Sequence, residues 1–350
     1  MGNRIRKIAQ GLLLSAVSVV AALFLAEITL RLLRLAPTSS VSTVSAREFE
    51  SIPGMFTPNQ HVLDLDKPDL PYTVSTDSLG FRGQDFARHK PDGQYRVAMI
   101  GDSFVFGDFV NDDQTLPVQL QQRLRTECRD PLVINAGLGG TTIVDEAPML
   151  LRTLSLEPDL VILVYTESDI EDLGVKRTAW DALADNRERK SHFPLSAFYP
   201  LLRNTALWNL GLRVLATRAK EGDVALRHKA ATRDSVGLIR DLRERYGAAL
   251  TAVRDTLAAR NIPFWFVMFP SWRDLQKPSD DLIWLEGFAS THAINSADLL
   301  PALRASNLTA ESLYLIPKDG HPSSRGHAVA AEALAKTLFL GEKPLPSCQR

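Results

Sequence analysis

The chain has 350 residues, 45% of them hydrophobic and 23% charged, with 40 Lys and Arg against 41 Asp and Glu. That balance suits one large globular domain or two small ones, and a formal net charge of -1 gives nucleic acid no basic face to bind. Repeats, low-complexity tracts, CxxC pairs and Cys/His clusters are all missing, so no metal site is expected.

In chain order, the first element is "MGNRIRKIAQGLLLSAVSVVAALFLAEITLRLLRLAP". Arg4, Arg6 and Lys7 precede about twenty largely apolar residues, Ile8 to about Ala26, enough to cross a ~30 Å hydrocarbon core. A small-x-small cleavage site does not follow directly, and Glu27, Arg31 and Arg34 continue the helical pattern. Residues 1–36 therefore read as an uncleaved signal-anchor rather than a signal peptide. The basic amino end belongs in the cytoplasm, which places the rest of the chain on the other side of the membrane. Residues 37–94 are rich in Ser, Thr, Pro and Asp and read as an extended arm, with an ordered turn where Gly80 and Gly83 flank Phe81-Arg82.

From Tyr95 onward strands and helices alternate. Short apolar runs ended by turn residues predict strands at Arg96–Ile100, Leu132–Asn135, Leu160–Tyr165 and Pro263–Phe269, with a fifth at Ser312–Leu315. Between them lie a helix from Leu116 to Glu127 and a long amphipathic helix through Ile239, Leu242, Tyr246, Leu250, Val253 and Leu257. A last helix runs from Ser324 to Leu338. Parallel pairing by right-handed crossovers follows. The expected fold is α/β, a flavodoxin-like three-layer α/β/α domain over 95–341 with a five-stranded parallel sheet, preceded by the transmembrane helix and followed by a short tail, 342–350.

Residues 171–234 interrupt this domain with an apolar, partly helical insertion, and residues 200–245 carry ten Lys/Arg against five Asp/Glu. Three readings stand open for it: a cap over the site, a patch against an anionic membrane surface, or a helical pair packed on its own domain. The only cysteines, Cys128 and Cys348, fall near the edge opposite the site, where either a disulfide or two free thiols is consistent with the pattern.

Candidate chemistry sits after the strands. In "VAMIGDSFVFGD" Ser103 follows the first strand; "NAGLGG" (135–140) ends the second, "YTESD" (165–169) the third, and "DGHPSSRGH" (319–327) precedes the last helix. In a parallel sheet these ends meet along one edge, where ligands bind. A serine hydroxyl needs a base within hydrogen-bond reach, for which His321 is the obvious partner, with Asp319 fixing its tautomer. The backbone N–H groups of Ser103 and Gly137 are candidates for holding an oxyanion. Asp102, Asp169, Asp172, Asn135 and Gly107 read as turn or strand-end residues, and His327 as a locally packed one.

These blocks resemble the SGNH (GDSL-like) hydrolase family over roughly 95–341. "GDS" is similar to its nucleophile block, "NAGLGG" to its oxyanion-glycine block and "DGHPSSRGH" to its acid–base block. "SLGFRG" and the leading anchor resemble a membrane-anchored bacterial branch. The resemblance implies an ester hydrolase without metal or organic cofactor, anchored in a bacterial inner membrane by its N-terminal helix. Its body would lie on the periplasmic side, acting on an ester-bearing small molecule or an acylated glycan. Two departures stand out: Ser168 occupies the place of the family's oxyanion Asn, and Asp319 lies two residues before His321 rather than three. Two other functions share these residues: an O-acyltransferase acting on cell-envelope polysaccharide, and a catalytically weakened domain that binds or scaffolds.

Overall fold

The computed structural model describes residues 2–33, 41–44, 48–64, 67, 69–126, 128–174, 178–212, 214–215 and 235–339. Helix α1 (Gly2–Leu32) is a single run without proline, and its stretch Ile5–Leu32 is long and apolar enough to cross a membrane. Its apolar side chains stay exposed along its length, Leu12 and Phe24 among them.

The arm is more structured than its polar composition predicts. β1 (His61–Asp64) and β2 (Tyr72–Ser75) form an antiparallel hairpin, and single bridges tie Thr76 to Arg82 and Arg82 to Asn135. Gly54 and Gly80 approach so closely that a Cβ on Gly54 would lie 2.1 Å from the Gly80 carbonyl, a contact only glycine permits.

The central sheet contains β3 (Tyr95–Gly101), β4 (Pro131–Gly137), β5 (Leu160–Tyr165), β6 (Phe264–Met268) and β7 (Ser296–Asp298), all parallel, in the order β4-β3-β5-β6-β7. Because strand side chains alternate between faces, β3 sends Val97 and Met99 to one layer and Ala98 and Ile100 to the other. The first layer is closed by α3 (Leu116–Leu124) and α13 (Ser324–Phe339), which an Arg123–Glu332 ion pair of 2.6 Å joins. On the second face lie α4 (Ile143–Thr153), α9 (Ser235–Ala258) and α10 (Asp280–Thr291). Leu242, Tyr246, Leu250, Val253 and Leu257 of α9 are buried there as their spacing predicts, while Ile239 stays exposed.

One predicted strand is corrected. The fifth strand is β7, which leads towards the short helix α11 (Leu300–Ala305), and Ser312–Leu315 instead closes the short helix α12 (Ala310–Leu313) and enters an isolated bridge between Tyr314 and Pro322. Leu313 and Tyr314 are buried there, and Tyr314 anchors the following loop, donating from its hydroxyl to the Pro270 carbonyl at 2.6 Å.

α5 (Asp169–Asp172) leads into the insertion, which holds α6 (Ala179–Ser191), α7 (Leu195–Leu202) and a further helix α8 over 206–212. Cys128 is disulfide-bonded. Cys348, the other cysteine of the chain, lies outside the described residues, as do 216–234 of the insertion and the tail.

Candidate active site

The carboxyl ends of β3, β4 and β5 lie side by side, and the first functional group is mounted on β3. The strand runs through Gly101 into Asp102, which caps the one-turn helix α2 (Ser103–Phe106): its Oδ1 accepts from the Phe104 N–H at 2.8 Å. A side chain at 101 would meet Val105 Cγ2 at 2.6 Å and the Val164 carbonyl oxygen at 3.0 Å, so glycine is needed for this tight departure. Gly107 ends the turn with a φ of 89° and returns its N–H to the Ser103 carbonyl. Ser103 is thus held almost buried, at 9% exposure, by a turn that is closed at both ends.

Across the sheet edge, the loop between α12 and α13 supplies His321. His321 Nε2 lies 2.8 Å from Ser103 Oγ, although 218 positions separate the two residues. On the other side of the ring, Nδ1 meets Asp319 Oδ1 in a short contact, and the same oxygen accepts from the His321 backbone N–H at 2.9 Å. The two-residue spacing between Asp319 and His321 therefore places one carboxylate oxygen on both nitrogens. Phe104 and Phe109 flank the ring at 5.4 and 5.3 Å between centroids. Burial by itself lowers the pKa of His321, but the hydrogen bond to Asp319 and the charges of Asp108, Asp319 and Asp102 outweigh it, and the net shift is upward. Burial likewise opposes ionisation of Asp319; the hydrogen bonds from His321 and Lys67 prevail and hold it well below the usual carboxylate range.

Lys67 comes from the arm. Its Nζ pairs with Asp319 Oδ2, the oxygen that His321 leaves free, and sits 5.1 Å above the Phe109 ring. Arg82, also from the arm and almost fully buried, holds the loop after Ser103. It donates to the carbonyls of Phe106, Gly107, Val110 and Thr73 at 2.7 to 2.9 Å and pairs with Asp112 at 2.9 Å. Asp108, on that loop, places Oδ2 at 3.9 Å from His321 Nε2 and accepts from the Tyr72 hydroxyl at 3.3 Å; burial pushes its carboxyl up to about 6.

The sequence-predicted residues are not all brought together. Ser103, His321 and Asp319 form one chain of contacts. Gly137 does something other than expected: its N–H points to Asn135 Oδ1 at 3.1 Å, and its missing side chain makes room for the α2 backbone, since a Cβ would lie 2.1 Å from Phe106 N. Gly139 of "NAGLGG" is exposed, and its Cβ position lies 3.8 Å from Ser103 Cβ and 3.6 Å from Asp108 Oδ2. No hydrogen bond joins the N–H of Gly139 or Gly140 to another described residue. Ser168 is exposed, and its hydroxyl bonds to no described residue. The third block is instead tied in through Thr166, whose hydroxyl donates to Asp102 Oδ2 at 2.8 Å and whose N–H donates to Asp169 Oδ2 at 3.1 Å.

Asp102 and Asp169 are accordingly turn-ordering groups, and burial raises both carboxyls. His327 is fully buried and far from the reacting groups in role; burial lowers it to about 3, so it stays neutral beside Phe269. Sequence reading missed Lys67, Arg82, Asp108 and Gly139. Arg82, Asp108 and Gly139 stood inside motifs already singled out, but nothing in the pattern around Lys67 marks it.

No family model matches the chain, and no curated protein sequence matches it. Solved structures of similar shape include esterases. A protein from Desulfitobacterium hafniense DCB-2, described as lipolytic and of the G-D-S-L family, is 17% identical, with a TM-score of 0.43 over 69% of this chain and 99% of its own. Axe2, an acetylxylan esterase from Geobacillus stearothermophilus, is 13% identical, with a TM-score of 0.39 over 69% and 93%. A member of the lipolytic G-D-S-L family from Veillonella parvula DSM 2008 is 11% identical, with a TM-score of 0.38 over 69% and 97%. Nothing is argued from likenesses this distant, and the chemistry rests on this chain's own side chains.

Proposed function

We propose that the protein is a membrane-anchored serine hydrolase of carboxylic esters. One observation carries this reading: a hydroxyl, an imidazole and a carboxylate in line, with 2.8 Å between Ser103 Oγ and His321 Nε2 and Asp319 behind Nδ1. Ser103 Oγ attacks the ester carbonyl while His321 Nε2 takes its proton. Asp319 stabilises the imidazolium that forms, and the tetrahedral intermediate collapses as His321 passes the proton to the leaving alcohol. Water, deprotonated by the same imidazole, then releases the acid from the acyl-enzyme. The developing oxyanion is held by the N–H of Ser103 and by the free N–H groups of the Gly139–Gly140 stretch beside it, in place of Gly137.

In this reading α1 is the anchor. Its basic start favours the cytoplasm, and the disulfide at Cys128 suits a body on the oxidising side. A fluorophosphonate probe is expected to label the protein, and Ser103→Ala is expected to abolish labelling and lower turnover of a short-chain ester by roughly 10⁴-fold or more. A wild type that neither labels nor cleaves such esters overturns the reading.

A further inference from the structure

Helix α7 presents a physical contradiction for an element in water. Its sequence, LSAFYPLL, has Ser196 as its one Ser, Thr or charged residue, yet most of it is uncovered. Leu201 is 72% exposed and Phe198 52%, with Phe193 at 81% just before the helix. Leu212, at the end of α8, and Leu215 just past it are exposed as well. Scattered apolar residues are ordinary on a protein surface, but a contiguous set on adjoining helices marks an interface.

The occupant is indicated by what these helices are bolted to. Glu27 of α1 accepts from the N–H groups of Ala206 and Leu207 at 2.9 Å each, capping the start of α8. Arg31, paired with Glu27 at 2.6 Å, donates to the Asn204 carbonyl at 2.7 Å. Residues Ile8 to Ala26 rise about 28 Å as a helix, close to the ~30 Å of a hydrocarbon core. Glu27 is the first acidic residue after that run, so it belongs at the water boundary. α1 continues to Leu32, about 7 Å further on. The α7–α8 junction therefore sits beside the boundary itself, below the end of the anchor. Charge agrees: Arg189 and Lys190 end α6 just before α7, with Lys190 Nζ 4.5 Å above the Tyr199 ring, so cations border the apolar surface where anionic headgroups would lie.

We propose that α7 forms a lipid-facing shelf, seated in the headgroup and upper acyl region of the bilayer that α1 crosses. The proposal rests on α1 being a membrane anchor, and its test separates the two ideas. Single cysteines replacing Phe198, Leu201 and Ala22 are labelled with an NBD fluorophore in the full-length protein, held in phosphatidylglycerol-containing nanodiscs, with the unsubstituted protein as blank. Emission from positions 198 and 201 is expected to shift to the blue and to be quenched, roughly two-fold or more, by lipids with a doxyl group high on the acyl chain, as for a face sunk roughly 5–10 Å. Ala22, inside α1, is expected to be quenched by a deeper doxyl group. Quenching at 22 with water-like emission at 198 and 201 overturns the shelf alone, and no quenching at 22 overturns the anchor and the shelf together. A blue shift at 198 and 201 without lipid quenching means that protein, such as a second copy of the chain, covers α7, and it also overturns the proposal.

Discussion

At Gly137 and Gly139 the same residue type serves opposite ends. A methyl group at 137 meets the Phe106 and Val105 backbone at 2.1 to 2.7 Å, which the turn cannot yield without moving Ser103. At 139 the nearest atoms are at 3.6 and 3.8 Å, ordinary contact. Gly137→Ala is therefore expected to lower the melting temperature and the turnover together, whereas Gly139→Ala is expected to keep the melting temperature and change turnover alone. His321 gives a second expectation. Its folded pKa is raised, so its contribution to stability is full below about 6.5 and fades as pH rises through the folded value. Asp319 is depressed, so its contribution is present above about 3.9 and is lost as pH falls through its folded value. In the proposed mechanism His321 acts as the neutral imidazole, so the acid limb of kcat/KM is expected to have its midpoint above about 6.5. Activity rises where the stabilisation from His321 declines, and a pH–rate profile set beside thermal unfolding of the wild type and His321→Asn checks both signs.

At the scale of elements, the arm and the acid–base loop hold each other. Lys67 from the arm pairs with Asp319, and Lys318 from the loop donates back to the Asp69 carbonyl at 3.2 Å. Removing the Lys67 cation leaves more negative charge around His321, which favours the imidazolium. Lys67→Met is thus expected to move the acid limb of kcat/KM upward, by up to about one pH unit, and Lys67→Arg to restore it. A purely structural role for Lys67 would lower kcat without moving the limb. None of this was legible in the sequence, because Lys67 stands in an irregular polar stretch and its partner lies some 250 residues away. Four of the five sheet strands were legible, since each is an apolar run buried on both faces. β7 was not: three residues, Ser-Ala-Asp, are too few and too polar to show a period. The Ser103, His321 and Asp319 positions could be read because each follows a strand or precedes a helix in a fold whose crossovers fix where those ends meet. Which glycine N–H faces the reacting atoms could not, because it depends on the few-ångström path of one loop.

For the whole molecule, Arg82 is the joint between the arm and the domain. Its guanidinium satisfies four carbonyls and one carboxylate out of water. Removing a buried charged partner of this kind costs about 3–5 kcal/mol. Arg82→Met is expected to lose that much in chemical denaturation, with Ser103 activity falling alongside because the Phe106–Val110 loop loses its tether. This sets where the folding unit starts. A protein cut to begin at Tyr95 keeps every strand of the central sheet, yet it forfeits the cation that gathers the nucleophile's loop and the one that faces the acid. A soluble version fit for enzymology has to retain the arm, and one trimmed to the sheet would be an α/β layer with its catalytic rim undone.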